Sequence, residues 1–107
     1  MPIIKIEFDD LKVKENEIRK LSEVAKKIVS NITGIEDVFV YANSAQIKVN
    51  IAPIEIFVEM SLSLIEDQDD LIKKIRLGLS IWKKENKFNY PINLTLIPMQ
   101  WKFEVGI

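Results

Sequence analysis

Few groups in this chain can do chemistry at neutral pH. It holds no cysteine and no histidine. That removes thiolate nucleophiles, disulfides, Cys-based metal sites, the usual general base and the commonest metal ligand. What still titrates near neutrality is the terminal α-amine, at about 7.7–8.0 in model compounds; otherwise a carboxylate or a lysine must be strongly shifted. The sequence opens "MPIIKIEF", and Pro2 has two readings. Proline lacks an N–H for a sheet ladder and is confined within strands to edges and first residues, so Pro2 simply begins a strand. Alternatively Pro2 becomes the N-terminus itself, and its secondary amine does chemistry.

The elements that would hold such a group can be read from the apolar spacing. Ile4, Ile6 and Phe8 alternate with Lys5 and Glu7, the period of a half-buried strand. Ile18, Leu21, Ala25, Ile28, Val29 and Ile32 then recur at three- and four-residue spacing, predicting a helix over about 14–31. Lys20, Lys26 and Lys27 fall largely outside that stripe, and Gly34 is placed to stop the helix. The β-branched and aromatic stretch that follows reads as three strands, roughly 37–42, 46–50 and 54–62, broken by Asn43-Ser44 and Ala52-Pro53.

A second helix is expected over about 67–84, with Leu71, Ile72, Ile75, Leu79 and Trp82 on one face. Its acidic start and basic end complement the helix dipole, so both clusters have a structural explanation. Gly78 costs about 1 kcal/mol against alanine inside a helix, which points to close packing of that helix on a sheet. "INLTLI" reads as a strand that Pro98 interrupts, and "WKFEV" as a short last one. The element order β-α-β-β-β-α-β-β divides into two similar halves, about 1–50 and 51–107, each with a strand after a proline, then a helix and a further strand.

Bulk composition sets the class. The chain has 107 residues, 48% hydrophobic and 29% charged, enough for one globular domain (1–107) with a single core. A net charge of −1 lacks the field a nucleic-acid binder would use. There is no membrane-length apolar run and no signal-peptide pattern. The expectation is a cytoplasmic protein with no membrane or nucleic-acid partner, no metal and no cofactor.

"MPIIKIEF", "TGIEDVFVYANS" and "FVEMSLSLIE" together resemble the tautomerase superfamily, in particular 5-carboxymethyl-2-hydroxymuconate isomerases and the macrophage migration inhibitory factor group. The resemblance implies an α+β fold made of a duplicated β-α-β unit, its two helices packed on one face of a mixed four-stranded sheet plus short extra strands. It implies a homotrimer. It also implies that Pro2, exposed by removal of Met1, is the general base in enol–keto isomerisation of a small carbonyl compound. An amine in an apolar pocket is physically suited to this, because burial disfavours its cationic form.

The chain departs from the family pattern in the strand reading "VFVYANS", where carboxylate-binding isomerases carry arginines; Arg19 and Arg76 fall in the helices instead, and Ile35 stands where a lysine follows Thr-Gly. That counts against recognition of a dicarboxylate. Replacement donors are Lys102, Tyr41 and the backbone N–H near Ile65, with Phe39, Trp101 and Phe103 as apolar walls of a pocket between subunits. Two other readings stand beside the enzyme: a non-catalytic trimer of the same fold, and a ferredoxin-like ligand-binding module. An RNA-binding version of the latter lacks the Lys/Arg-Gly-aromatic motif and the charge.

Overall fold

Alternation in two strands and a 3.6-residue stripe in two helices leave one economical arrangement, a sheet with both helices on one face. The computed structural model, which describes every residue except Phe103, has that arrangement. Its elements are β1 (Ile3–Phe8), α1 (Glu15–Thr33), β2 (Phe39–Asn43), β3 (Ile54–Ser61), α2 (Gln68–Glu85) and β4 (Asn93–Met99), with a single 3-10 turn at Leu62–Leu64. Strand order is β2-β1-β3-β4. The central pair β1·β3 is antiparallel, while β1·β2 and β3·β4 are parallel, each joined through one helix.

The register sorts residues by face. Val40, Ile4, Val58 and Leu96 stand level across the sheet, as do Ala42, Ile6, Ile56 and Leu94. Ile4, Ile6, Ile56 and Val58 are buried with Leu21, Ala25 and Val29 of α1 and Leu71, Ile75 and Leu79 of α2, so this is the helix side. The opposite face carries Phe39, Ile3, Glu59 and Ile97 in one row, then Tyr41, Lys5, Phe57 and Thr95 in the next. No helix covers it.

Helix ends follow local chemistry. Gly34 adopts φ 73° and its N–H donates to the Ser30 carbonyl, the left-handed stop that a Cβ would oppose. At the start of α2 the Asp67 carboxylate accepts the Asp70 N–H at 3.1 Å. Beyond α2, Phe88 is buried and packs against Trp82 and Tyr90, with ring centroids 5.0 and 5.2 Å apart.

Four expectations are corrected. Residues 46–50 form no strand; that segment is irregular, because its outward apolar side chains meet no neighbouring strand within the chain. None of the described residues in 101–107 is in a strand, and Phe103 lies outside the described residues. Pro98 does not interrupt β4 but sits inside it opposite Met60, which an edge strand tolerates because only one side of its backbone is paired. Gly78 packs not on the sheet but on α1, where a Cβ would meet Ile28 Cγ2 at 3.1 Å.

Candidate functional site

Pro2 heads the central strand β1. Its carbonyl accepts the Phe39 N–H at 3.1 Å, which starts the β1·β2 ladder. Pro2 falls in phase with Ile4 and Ile6, and its side chain is fully buried. Ile3 is level with Glu59; continuing that antiparallel register sets Pro2 opposite Met60 and Met1 opposite Ser61. The ring is therefore held rigidly beside the C-terminal end of β3.

A groove of about 530 Å³ opens at that end of the sheet, lined by Ser61, Leu62, Ser63, Met99, Gln100, Trp101 and Lys102. Its position follows from the parallel pairing of β3 and β4, which ends at Ser61 opposite Met99. Its lining mixes apolar Leu62, Met99 and Trp101 with polar Ser61, Ser63, Gln100 and Lys102. Trp101 is half-buried and Lys102 exposed. Lys102 has no ion-pair partner among the described residues, in contrast to Lys5, which meets Glu59 at 3.0 Å, and Lys74, which meets Asp70 at 2.9 Å. The Ser61 and Ser63 hydroxyls lie 2.9 Å apart. One donates to the other, which leaves one hydroxyl proton and spare acceptor capacity.

The structure thus brings Trp101 and Lys102 together in one groove, but Pro2 is not part of its lining. It does not bring the other two candidates there. Tyr41 stands on the open face of the sheet, level with Lys5 and half-exposed. Ile65 packs partly against the core, and its N–H donates to the Leu62 carbonyl at 3.1 Å, closing the 3-10 turn. It lines a separate depression with Thr33, Asp67 and Lys74. Phe39, expected as a pocket wall, also faces the open side. Sequence reasoning missed Gln100 and the Ser61–Ser63 pair. The signal available was "SLS", two hydroxyls two residues apart at the end of a strand.

A depression of about 750 Å³ lies away from this site, between α1 and β2 at the other end of β1. Arg19 lines it but is paired with Glu15 at 2.9 Å, an exposed (i, i+4) pair of the kind that contributes little. At the same end, Lys48 bonds to the Asp10 carboxylate and lies 3.4 Å from Asp9 Oδ1. The hydrogen bond that Lys48 donates to Asp10 holds the Asp10 carboxyl below its ordinary value and raises the Lys48 ammonium above its own. Lys74 is likewise raised, first by its hydrogen bond to Asp70. Among the described residues no cluster of Asp and Glu could hold a metal ion, and no helix is long and apolar enough to cross a membrane.

No family model matches the chain, and no curated protein matches it in sequence. Solved structures do. The chain is similar to malonate semialdehyde decarboxylase, with a TM-score of 0.69 at 12% identity, over 98% of this chain and 92% of that one. It is similar to 5-carboxymethyl-2-hydroxymuconate delta-isomerase, with a TM-score of 0.66 at 11% identity, over 99% and 89%. A fused 4-OT, an asymmetric trimer, gives a TM-score of 0.64 at 11% identity, over 91% and 85%. At these identities the likeness is one of fold.

Proposed function

We propose that this chain, which has the tautomerase-superfamily fold, is an isomerase that interconverts the enol and keto forms of a small carbonyl compound without a cofactor. Pro2 is the general base, freed by removal of Met1. The observation that carries this reading is the placement of Pro2, buried at the head of the central strand and, by continuation of the β1·β3 register, beside the end of β3 that borders the groove, though outside the groove's own lining. The isomerase among the similar structures supports the reaction class.

The chemistry follows from the environment. Burial disfavours a cationic amine and lowers its pKa from the ordinary 7.7–8.0 or so, leaving it neutral and basic at pH 7. The neutral amine takes the enol hydroxyl proton. As the C=O bond forms, the electrons of the C=C bond take a proton from the ammonium at the adjacent carbon, and the amine is regenerated. Trp101 walls the apolar part of the substrate, and Lys102 faces the oxygen that carries negative charge in the transition state. Tyr41 and the Ile65 backbone contribute only across a subunit boundary or after the 3-10 turn opens. Assembly as a homotrimer belongs to the same reading, supported by the uncovered sheet face and by the trimeric 4-OT of like fold.

The non-catalytic trimer is the second reading. It is favoured by the single cation in the groove and by the Ile65 N–H being already bonded. One comparison separates the two. Mass spectrometry establishes whether purified protein begins at Met1 or Pro2, and both forms are assayed on phenylenolpyruvate at one pH. Pro2-terminal protein is expected to ketonise the enol at a rate that rises with pH and levels off near neutrality, and Met1-retained protein to lose nearly all of that rate. Equal rates from the two forms would refute Pro2 as base.

A further inference from the structure

Arg76, Ser80 and Lys83 stand at positions i, i+4 and i+7 of α2, a spacing that sets all three on one side of the helix. That side borders the start of β4. Together they rim a hollow of about 110 Å³ whose other lining residues are Leu79, Ile92 and Leu94. None of the described residues lining it is acidic. Among the described residues Arg76 and Lys83 have no ion-pair partner, and the Ser80 hydroxyl has no hydrogen-bond partner. By contrast, Arg19 and Lys74, which line other depressions, each meet a carboxylate at 2.9 Å. Ser22 and Thr33 in α1 each turn back to bond the carbonyl one turn before them, at 2.7 Å. The surroundings reinforce the charge. Six cations and one carboxylate lie between Leu71 and Phe88, in a chain whose net charge is −1. A basic last turn answers the helix dipole, which accounts for Lys83; Arg76 stands near the middle of α2 and has no such role.

We propose that this hollow binds the phosphate group of a small phosphomonoester. Its size fits. A water occupies about 30 Å³ in the liquid, so about 110 Å³ is the space of roughly three to four waters, room for one tetrahedral oxyanion and not for a whole cofactor. Its charge fits as well. A phosphomonoester carries close to two negative charges at neutral pH, and the guanidinium and the ammonium supply two positive ones. The Arg76 fork takes two phosphate oxygens, Lys83 acts as a point charge on a third, and the free Ser80 hydroxyl donates to the group from between them. A planar carboxylate would be satisfied by Arg76 alone. Leu79 closes the floor, while Ile92 and Leu94, only half-buried, offer apolar surface to the organic part of the ester. The site is separate from the groove at the other end of β4. Leu94 and Met99 lie roughly 17 Å apart along the strand. A small substrate cannot reach both, so the ester is a second ligand, and the proposal stands whether or not Pro2 is a base.

The test is titration of the full chain with phenyl phosphate at about pH 7.5, where the ester is a dianion, followed by amide ¹H–¹⁵N spectra. Saturable shifts are expected at Arg76, Ser80, Lys83, Ile92 and Leu94. Arg76→Gln and Lys83→Gln should each weaken binding about 10-fold, and Ser80→Ala about threefold. Lys74→Gln removes the same charge from another side of α2 and should change the affinity less than about twofold. None of these four side chains is in the core, so circular dichroism should be unaltered in every variant. Inorganic phosphate should shift the same amides at higher concentration, for want of the apolar contact, and phenol should leave them in place. A duplex oligonucleotide or anionic vesicles that shift them at lower concentration than phenyl phosphate would overturn the small ester in favour of a polyanion surface. No saturable shift, shifts confined to Ser61, Ser63 and Gln100 of the groove, or equal weakening in Lys74→Gln overturns the site itself.

Discussion

Gly78 offers a test of how the two helices are spaced, and the structure supplies both halves of the arithmetic. Alanine in place of glycine inside α2 gains about 1 kcal/mol of helix propensity. The new Cβ would meet Ile28 of α1 at 3.1 Å to Cγ2 and 3.3 Å to Cγ1 and Cδ1. Such crowding typically costs about 1–3 kcal/mol. The low end applies here, because the obstacle is one partly exposed side chain and not backbone. Gly78→Ala alone should therefore leave stability within about 0.5 kcal/mol of wild type, the gain and the crowding offsetting each other. With Ile28→Ala the obstacle is gone, and Gly78→Ala should stabilise that background by the full ~1 kcal/mol. The coupling energy between the sites is then about 1 kcal/mol, inside the range found for residues in contact. Urea unfolding followed by far-UV circular dichroism measures it, at one protomer concentration so that association does not enter. Equal effects of Gly78→Ala in the two backgrounds, with unchanged m-values, would refute the contact and the helix spacing behind it.

The remaining predictions concern a cap and an ion pair. Asp67→Ala removes the acceptor of the Asp70 N–H and should cost about 1 kcal/mol in the same unfolding assay; Asp67→Asn should recover most of it, because the amide oxygen accepts the same bond. The Asp10 carboxyl should titrate below its ordinary 3.8 in ¹³C NMR, chiefly through its hydrogen bond from Lys48, and return toward that value in Lys48→Ala. Because its folded pKa is depressed, Asp10 stabilises the fold of segment 46–51 above about pH 4, and that contribution is lost as pH falls through the lowered value. Lys48, raised above 10.5, contributes below about pH 10.5 and loses its contribution as pH rises through the higher value. Amide resonances of residues 46–51 that keep their positions at both extremes would count against this anchoring.

Much of the architecture was legible in residue order because its signals are local. Alternation in 3–8 and 54–61, the α1 stripe, the acidic start of α2 and Gly34 as a left-handed stop all act over a turn or a strand, so neighbouring side chains decide them. Of the candidate site, the sequence singled out Pro2 through the lack of any histidine or cysteine, and Trp101 and Lys102 through their types. What it could not hold is which residues share an end of the sheet. Tyr41 and Lys102 look alike as donors along the chain, but only the register sends Tyr41 to the open face and Lys102 to the groove beside Ser61. Ile65 seemed to offer an N–H until the 3-10 turn claimed it. Segment 46–50 shows the limit most clearly. Its alternation predicted a strand, yet a strand requires a partner for its backbone, and among the described residues none pairs with it. Its alternation could not say which side faces inward either. That was decided by Lys48, reaching back across the fold to Asp9 and Asp10, a pairing between residues 38 positions apart.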